Sequence, residues 1–168
     1  MGEQLEILVR KTTEIDLETI AAIALQLYPN HFNGESRVPL AEARKWVKNL
    51  SSGDHGQYLV AEYDGKIVGY SYSMPLAHGA GVIAVIEFGA IPVKGVRGIG
   101  TKVIEATVAL WQNEHYERFG KPLTSMLIYT GEPGVKLCTK QGFQVVAEME
   151  DLYGPGVHEF VVRKDFRA

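Results

Sequence analysis

A chain of 168 residues that is 46% hydrophobic and 22% charged has the balance of a soluble globular protein and the length of a single domain, residues 1–168. The formal net charge of −3 comes without a basic stripe or a Lys/Arg run, which argues against nucleic acid or a membrane surface as partner. No apolar stretch is long enough to span a bilayer, the first residues have no signal-peptide core, and Cys138 is the only cysteine, so a reducing cytoplasmic address is expected.

Residues 5–10 alternate as a first strand. Asp16 is placed to cap the next segment, in which Ile20, Ile23, Ala24 and Leu27 form a helical stripe that Pro29 stops. Residues 28–38 have loop chemistry, and Pro39 suits a first helical turn. Leu40, Ala43, Val47 and Leu50 line a second helix, closed by Ser51, Ser52 and Gly53. Residues 57–63 and 66–74 read as two strands, and the Asp64-Gly65 link between them is a strong hairpin signal. A flexible stretch, 75–81, leads into residues 82–91, a β-branched and aromatic run with one charge, Glu87, which suits a strand covered on both faces.

Pro92 and Val93 end that strand, and a Gly-rich turn over 94–100 opens a helix over 101–115, where Ile104, Val108 and Trp111 recur at helical spacing. Residues 123–130 form another strand, 133–141 a short helix closed by Gly142, and 144–152 and 157–164 a last strand pair around Gly154-Pro155-Gly156. Hairpins dominate this order, which argues against a doubly wound nucleotide fold.

The turn is the first feature with chemical meaning. The leading N–H groups of a helix lack internal partners and sit at the positive end of its dipole, and glycines let the backbone come close to an anion. The plain alternative is an ordinary strand-to-helix connection. A dinucleotide fingerprint fits at Gly98 and Gly100 but fails at Val103; a P-loop fits the spacing of Gly95 and Gly100, but Thr101-Lys102 reverses the order that loop needs.

Arg97-Gly98-Ile99-Gly100 resembles the [Q/R]-x-x-G-x-[G/A] turn of the GNAT superfamily of N-acetyltransferases, and the element order resembles that fold over essentially the whole chain. Gly95 stands where that turn has Gln or Arg. The resemblance implies an α+β fold: a mixed, mostly antiparallel sheet of about seven strands with about four helices, and acyl-coenzyme A in the cleft between two splayed central strands. Gly89 is placed for the bulge that opens such a gap, with a packing contact as the alternative.

The same resemblance implies the cofactor site. Backbone N–H groups of Val96, Arg97, Gly98, Ile99, Gly100 and Thr101 would hold the diphosphate, and Gly89, Ala90 and Ile91, with Val93 beyond, would pair with the pantetheine and the thioester oxygen. No metal is implied: His31, His55, His78, His115 and His158 show no ligand spacing. The acceptor is expected to be a small-molecule or peptide amine, with a homodimer left open.

A lysine-like amine is neutral in only about one molecule in 2,500 at pH 7, so transfer to it needs a base. Glu87, a carboxylate in an apolar strand, is the candidate, against a wetted or Arg-paired Glu as the plainer reading. Gly142-Phe143 anchor a match to the family's N-x-x-A-x-x-x-Y-x-x-x-G-F motif, in which Cys138 takes the tyrosine position, Gly134 the alanine and Gly131 the asparagine. Cys138 is therefore expected beside the coenzyme sulfur as a candidate but not obligatory proton donor, with a tyrosine tolerated in its place and a buried small hydrophobe as the alternative. Tyr72, Tyr129 and Tyr153 are the other candidate donors. His158, with Glu148, Glu150 and Asp151, stands where an acidic acceptor mouth or a solvated strand face would be.

Three functions remain open at this stage: an acetyl-coenzyme A-dependent N-acetyltransferase working by direct transfer in a ternary complex, an acyl-coenzyme A-binding module without turnover, and a P-loop protein.

Overall fold

The computed structural model describes residues 6–27, 40–51, 56–76, 81–152 and 154–166. Expectations for residues 28–39, including His31, and for His55, His78 and Tyr153 lie outside the described residues. Seven strands and four α-helices follow in the order β1 (Leu8–Lys11), α1 (Leu17–Leu27), α2 (Leu40–Ser51), β2 (Gln57–Tyr63), β3 (Lys66–Pro75), β4 (Val82–Ala90), α3 (Ile99–Phe119), β5 (Ser125–Thr130), α4 (Glu132–Lys140), β6 (Gln144–Met149) and β7 (Glu159–Asp165). The sheet order is β1-β2-β3-β4-β5-β7-β6, antiparallel throughout except for β4 beside β5.

Each strand's alternation sorts its side chains between two cores. Tyr58, Val60, Tyr70 and Tyr72 pack under Ile20, Ile23 and Ala24 of α1 and Ala43 and Val47 of α2. On the other face Ile83, Val85, Phe88 and Ile128 pack with Ile104 and Trp111 of α3 and Cys138 of α4. A polar seam fixes α3 on β3: Trp111 Nε1 donates to Ser73 Oγ at 2.7 Å, and Ser71 and Thr107 hydroxyls meet at 2.7 Å.

Several boundaries differ from the sequence reading. A short 3-10 turn, Glu14–Asp16, precedes α1, and Asp16 sits inside it rather than at its start. There the Asp16 carboxylate accepts from the Thr13 N–H at 2.7 Å and pairs with Arg10 at 2.7 Å, so it ties the helix entry to β1. Helix α3 runs on to Phe119, because its stop is not His115 but the left-handed Gly120, whose N–H returns to Tyr116 O at 2.8 Å. His115 is buried, with Nδ1 2.7 Å from Lys121 O.

The expected bulge is present but not at Gly89. Tyr72 pairs with Glu87 and Ser73 with Val85, so Ile86 is the extra residue, while Gly89 pairs regularly with Tyr70. A bulge bends its strand. Strand β4 pairs with β5 only from Val82 to Val85, against Ser125 to Ile128. The bulge thus falls where β4 parts from β5.

Candidate functional site

Beyond that parting the two strands enclose a cavity of about 460 Å³, lined by Phe88, Gly89 and Ala90 of β4, Thr130 of β5, Gly100 of α3, Leu137 of α4 and Leu27 of α1, among others. Helices α1 and α4 pack on opposite faces of the sheet. The cavity is therefore lined by elements from both faces of the sheet.

Backbone donors point into it from two sides. The Ile91 N–H donates across the sheet to Val68 O at 2.8 Å. Successive amides of a strand point to opposite edges, so the Ala90 N–H faces the open side of β4. Of the positions expected at the strand end, Ile91 is thus already committed through its amide, and Val93 is a turn residue whose carbonyl accepts from the Val96 N–H at 3.0 Å.

At the other side lies the start of α3. The first helical bond is Lys102 N–H to Gly98 O, 2.9 Å, which leaves the amides of Ile99, Gly100 and Thr101 outside the helix's own bonding. Gly98 is the N-cap, with φ +85°, and a Cβ there would meet nothing within 4 Å, so its need for glycine is conformational. Gly95, φ +80°, is the third residue of the tight turn that the Val96 N–H closes onto Val93 O, a position that selects glycine. This is the physical reason that no Gln or Arg stands there. The Val96 amide is used inside the turn, and Arg97 is exposed beside it.

Glu87 points to the α1 face and is 3% exposed. Burial pushes its carboxyl up to about 7, against the pull of a hydrogen bond from Tyr70 Oη to Oε1. Oε2 has no hydrogen-bond partner among the described residues, and neither has the buried hydroxyl of Tyr58. Glu87 is not in the cavity wall itself, but its neighbours Phe88 and Gly89 are. The part played by Tyr58 and Tyr70 was not foreseen. The one signal is the period-two spacing of Tyr70 and Tyr72 on β3, which reads as core until the register sets them, with Tyr58 of β2, on the Glu87 side of the sheet.

Cys138 has the burial that the small-hydrophobe reading expects. It is wholly buried between Phe88, Ile128 and Phe143, and burial pushes its thiol up to about 12. It is not among the residues that line the cavity. Gly134, in the motif's alanine position, lines the cavity, and a Cβ there would lie 1.8 Å from Thr130 Oγ1. Of the other donors, Tyr72 is buried with its hydroxyl over Gly56. Tyr129 is half-buried on β5 just past Ile128, the last residue paired with β4; alternation turns it to the face Glu87 occupies.

A second cavity of about 490 Å³ adjoins the first through Gly131 and Pro133 and is lined by Glu132, Glu148 and His158. His158 Nδ1 lies 3.2 Å from Glu148 Oε1. Glu150 and Asp151 are both exposed, and the Asp151 carboxylate accepts from Gly156 N at 2.6 Å, which makes it a turn residue.

Solved structures share this architecture. A ribosomal-protein-alanine N-acetyltransferase from Brucella melitensis superimposes with a TM-score of 0.69 at 20% identity, covering 95% of this chain and 99% of that one. A phosphinothricin acetyltransferase of the GNAT superfamily from Sinorhizobium meliloti, in complex with acetyl-coenzyme A, gives 0.71 at 17% identity over 95% and 88%. NAA60 of Arabidopsis thaliana, also with acetyl-coenzyme A, gives 0.68 at 15% over 95% and 98%. The chain has the GNAT acetyltransferase fold. The likeness, at 15–20% identity, is one of fold and spans nearly the whole chain.

No protein-family model matches the chain. One curated protein does, the GTPase Der of Aeromonas hydrophila, at 32% identity over 95 residues. The match takes in 56% of this chain but only 18% of that protein's length. No helix among the described residues is long and apolar enough to cross a membrane.

Proposed function

We propose that the protein is an acetyl-coenzyme A-dependent N-acetyltransferase that acetylates a primary amine by direct transfer in a ternary complex. The observation that carries this is the cavity at the fork, lined by Leu27 from the α1 face and by Gly100 and Leu137 from the α3 and α4 face. Such a cavity would let a thioester enter from one face while an amine approaches from the other.

Each end has chemistry to match. The free amides of Ile99, Gly100 and Thr101, with Gly98 giving room, would hold the diphosphate. Gly89 and Ala90 would receive the pantetheine, with the Ala90 N–H directed at the thioester oxygen as negative charge develops on it. Glu87 takes the proton that the ammonium must lose, directly or through water. A carboxylate with a pKa of about 7 is a better base than an ordinary one, about half ionised at neutral pH and largely ionised above it. The amine then attacks the carbonyl carbon, the C–S bond breaks with its electron pair going to sulfur, and the second nitrogen proton balances the departing thiolate. Tyr129, on the face of the sheet that Glu87 occupies, would deliver that proton.

Supporting the acetyl donor, two of the structures that share the fold hold acetyl-coenzyme A. The acceptor is a small molecule or a peptide amine, and the acidic wall of the adjoining cavity, Glu132 and Glu148, favours a cationic one. A second reading, acyl-coenzyme A binding without turnover, is favoured by one observation: the phenol position of the family motif is a core cysteine. Incubation with acetyl-coenzyme A and a panel of peptides, polyamines and lysine derivatives decides between them. Free thiol released in step with an acetylated amine, found by mass spectrometry, supports the enzyme. Tight binding with no product from any amine supports the binding module.

A further inference from the structure

The Glu87 carboxylate is treated asymmetrically by its surroundings. Oε1 accepts a hydrogen bond from the Tyr70 hydroxyl, and Oε2 accepts none among the described residues. The two residues lie on neighbouring strands in diagonal register, since Tyr72 pairs with Glu87 and Tyr70 with Gly89. Tyr70 is wholly buried, so its ring cannot swing away without repacking the core under α1.

We propose that Tyr70 is a positioning residue for Glu87: its hydroxyl holds Oε1 and leaves Oε2 as the atom that takes the proton. This rests on the acetyltransferase reading for the use of that proton, but not for the hold itself. A buried carboxylate without the bond would be free to rotate and would have both oxygens unsatisfied, a costly state. With it, one oxygen is satisfied and the other stays available. Tyr70 acts through Glu87, since it is Phe88, Gly89 and Ala90 that line the cavity.

Few other groups act on this carboxyl. Strand β2 contributes Tyr58, whose phenol is pushed up by burial first and then by the Glu87 charge. Strand β3 contributes Tyr72 beside it, and the α1 residues packed on this core, Leu17, Ile20, Ile23, Ala24 and Leu27, are all apolar, as are Ala43, Val47 and Trp46 of α2 apart from the indole nitrogen. Burial raises the Glu87 pKa and the Tyr70 bond lowers it. Removing the bond must therefore raise it further.

The test follows the carboxyl itself. Infrared difference titration of the full chain, with Glu87→Gln subtracted to isolate the signal, gives the Glu87 midpoint without any need for turnover. Tyr70→Phe keeps the ring and removes the bond. The midpoint should move to higher pH by about one unit or more, and the acid limb of kcat/KM should move with it. Tyr58→Phe removes a hydroxyl from the same core that is not bonded to Glu87, and should leave the midpoint in place. In the Glu87→Gln background, Tyr70→Phe should cost no further turnover.

An unchanged midpoint in Tyr70→Phe, or an equal shift in Tyr58→Phe, would overturn the proposal while leaving the acetyltransferase reading intact. A shifted midpoint in a protein that acetylates no amine would overturn that reading and leave the Tyr70 hold standing.

Discussion

Gly134 and Thr130 compete for one small space: a Cβ on Gly134 would lie 1.8 Å from Thr130 Oγ1 and 3.1 Å from the Phe88 ring. All three residues line the cavity at the fork. The first turn of α4 is thereby held against the end of β5 at backbone distance. Gly134→Ala should therefore force Thr130 into the cavity or lift α4. Overpacking of this kind costs roughly 1–3 kcal/mol, and binding of acetyl-coenzyme A should weaken as well. Thr130→Ala added to Gly134→Ala should recover most of the stability, as a melting comparison of the single and double variants would reveal; additive losses would mean that the two residues do not compete.

A second prediction concerns the left-handed N-cap of α3. Gly98→Val places a β-branched residue at φ +85°, a strained conformation for any L side chain, and puts a side chain at the N-cap where the diphosphate would approach the free amides of Ile99 to Thr101. The variant should fold with some loss of stability and lose its response to acetyl-coenzyme A. Gly95→Ala, strained at φ +80° but further from those amides, should lose stability and keep most of the response. Equal responses in the two variants would separate the α3 amides from the ligand.

Glu87 links activity to stability with opposite signs. Its carboxyl stands at about 7 in the folded protein against an ordinary 4.5, so ionising it opposes folding. This cost is absent below about pH 4.5, grows through the interval up to about 7 and is constant above it. Its full size is roughly 3 kcal/mol. Glu87→Gln should therefore raise the melting temperature at pH 8 and leave it unchanged at pH 4. Turnover at neutral pH should fall by ~10²–10⁴, with a smaller loss at high pH where the amine sheds its own proton. A variant as stable as wild type at pH 8, or one equally impaired at every pH, would deny the carboxylate this role.

Much of this was legible in the residues. Asp64-Gly65 marked the β2–β3 hairpin, the apolar run at 82–91 marked the central strand, and Arg97-Gly98-Ile99-Gly100 marked the helix start that the structure leaves with free amides. Two features were not. The bulge falls at Ile86 rather than Gly89 because it is set by how β3 and β4 pair, and no single residue type announces it. The choice between the two readings of Cys138, beside the coenzyme sulfur or a buried small hydrophobe, depends on which side of α4 meets Phe143 and Ile128, and counting back from Gly142-Phe143 fixes the position in the motif but not what surrounds it.

Cys138 gives a fourth prediction that follows from its burial. Wholly buried, it should resist alkylation in the native protein with or without coenzyme A. Cys138→Ala should cost about 1 kcal/mol through lost packing and leave turnover nearly intact. Cys138→Tyr should be poorly tolerated, because a phenol is far larger than the thiol it would replace in the core cluster of Phe88, Ile128 and Phe143. Rapid modification of the native thiol that coenzyme A blocks would put Cys138 back beside the ligand.

The most direct test of the fork as an acyl-coenzyme A site is the melting temperature of the wild-type protein with acetyl-coenzyme A and, separately, with GTP and magnesium. At a ligand concentration a hundredfold above its dissociation constant, acetyl-coenzyme A should stabilise the fold by about 2.7 kcal/mol, and GTP with magnesium should leave it unmoved. A melt that acetyl-coenzyme A does not shift, or that GTP shifts more, would contradict the assignment.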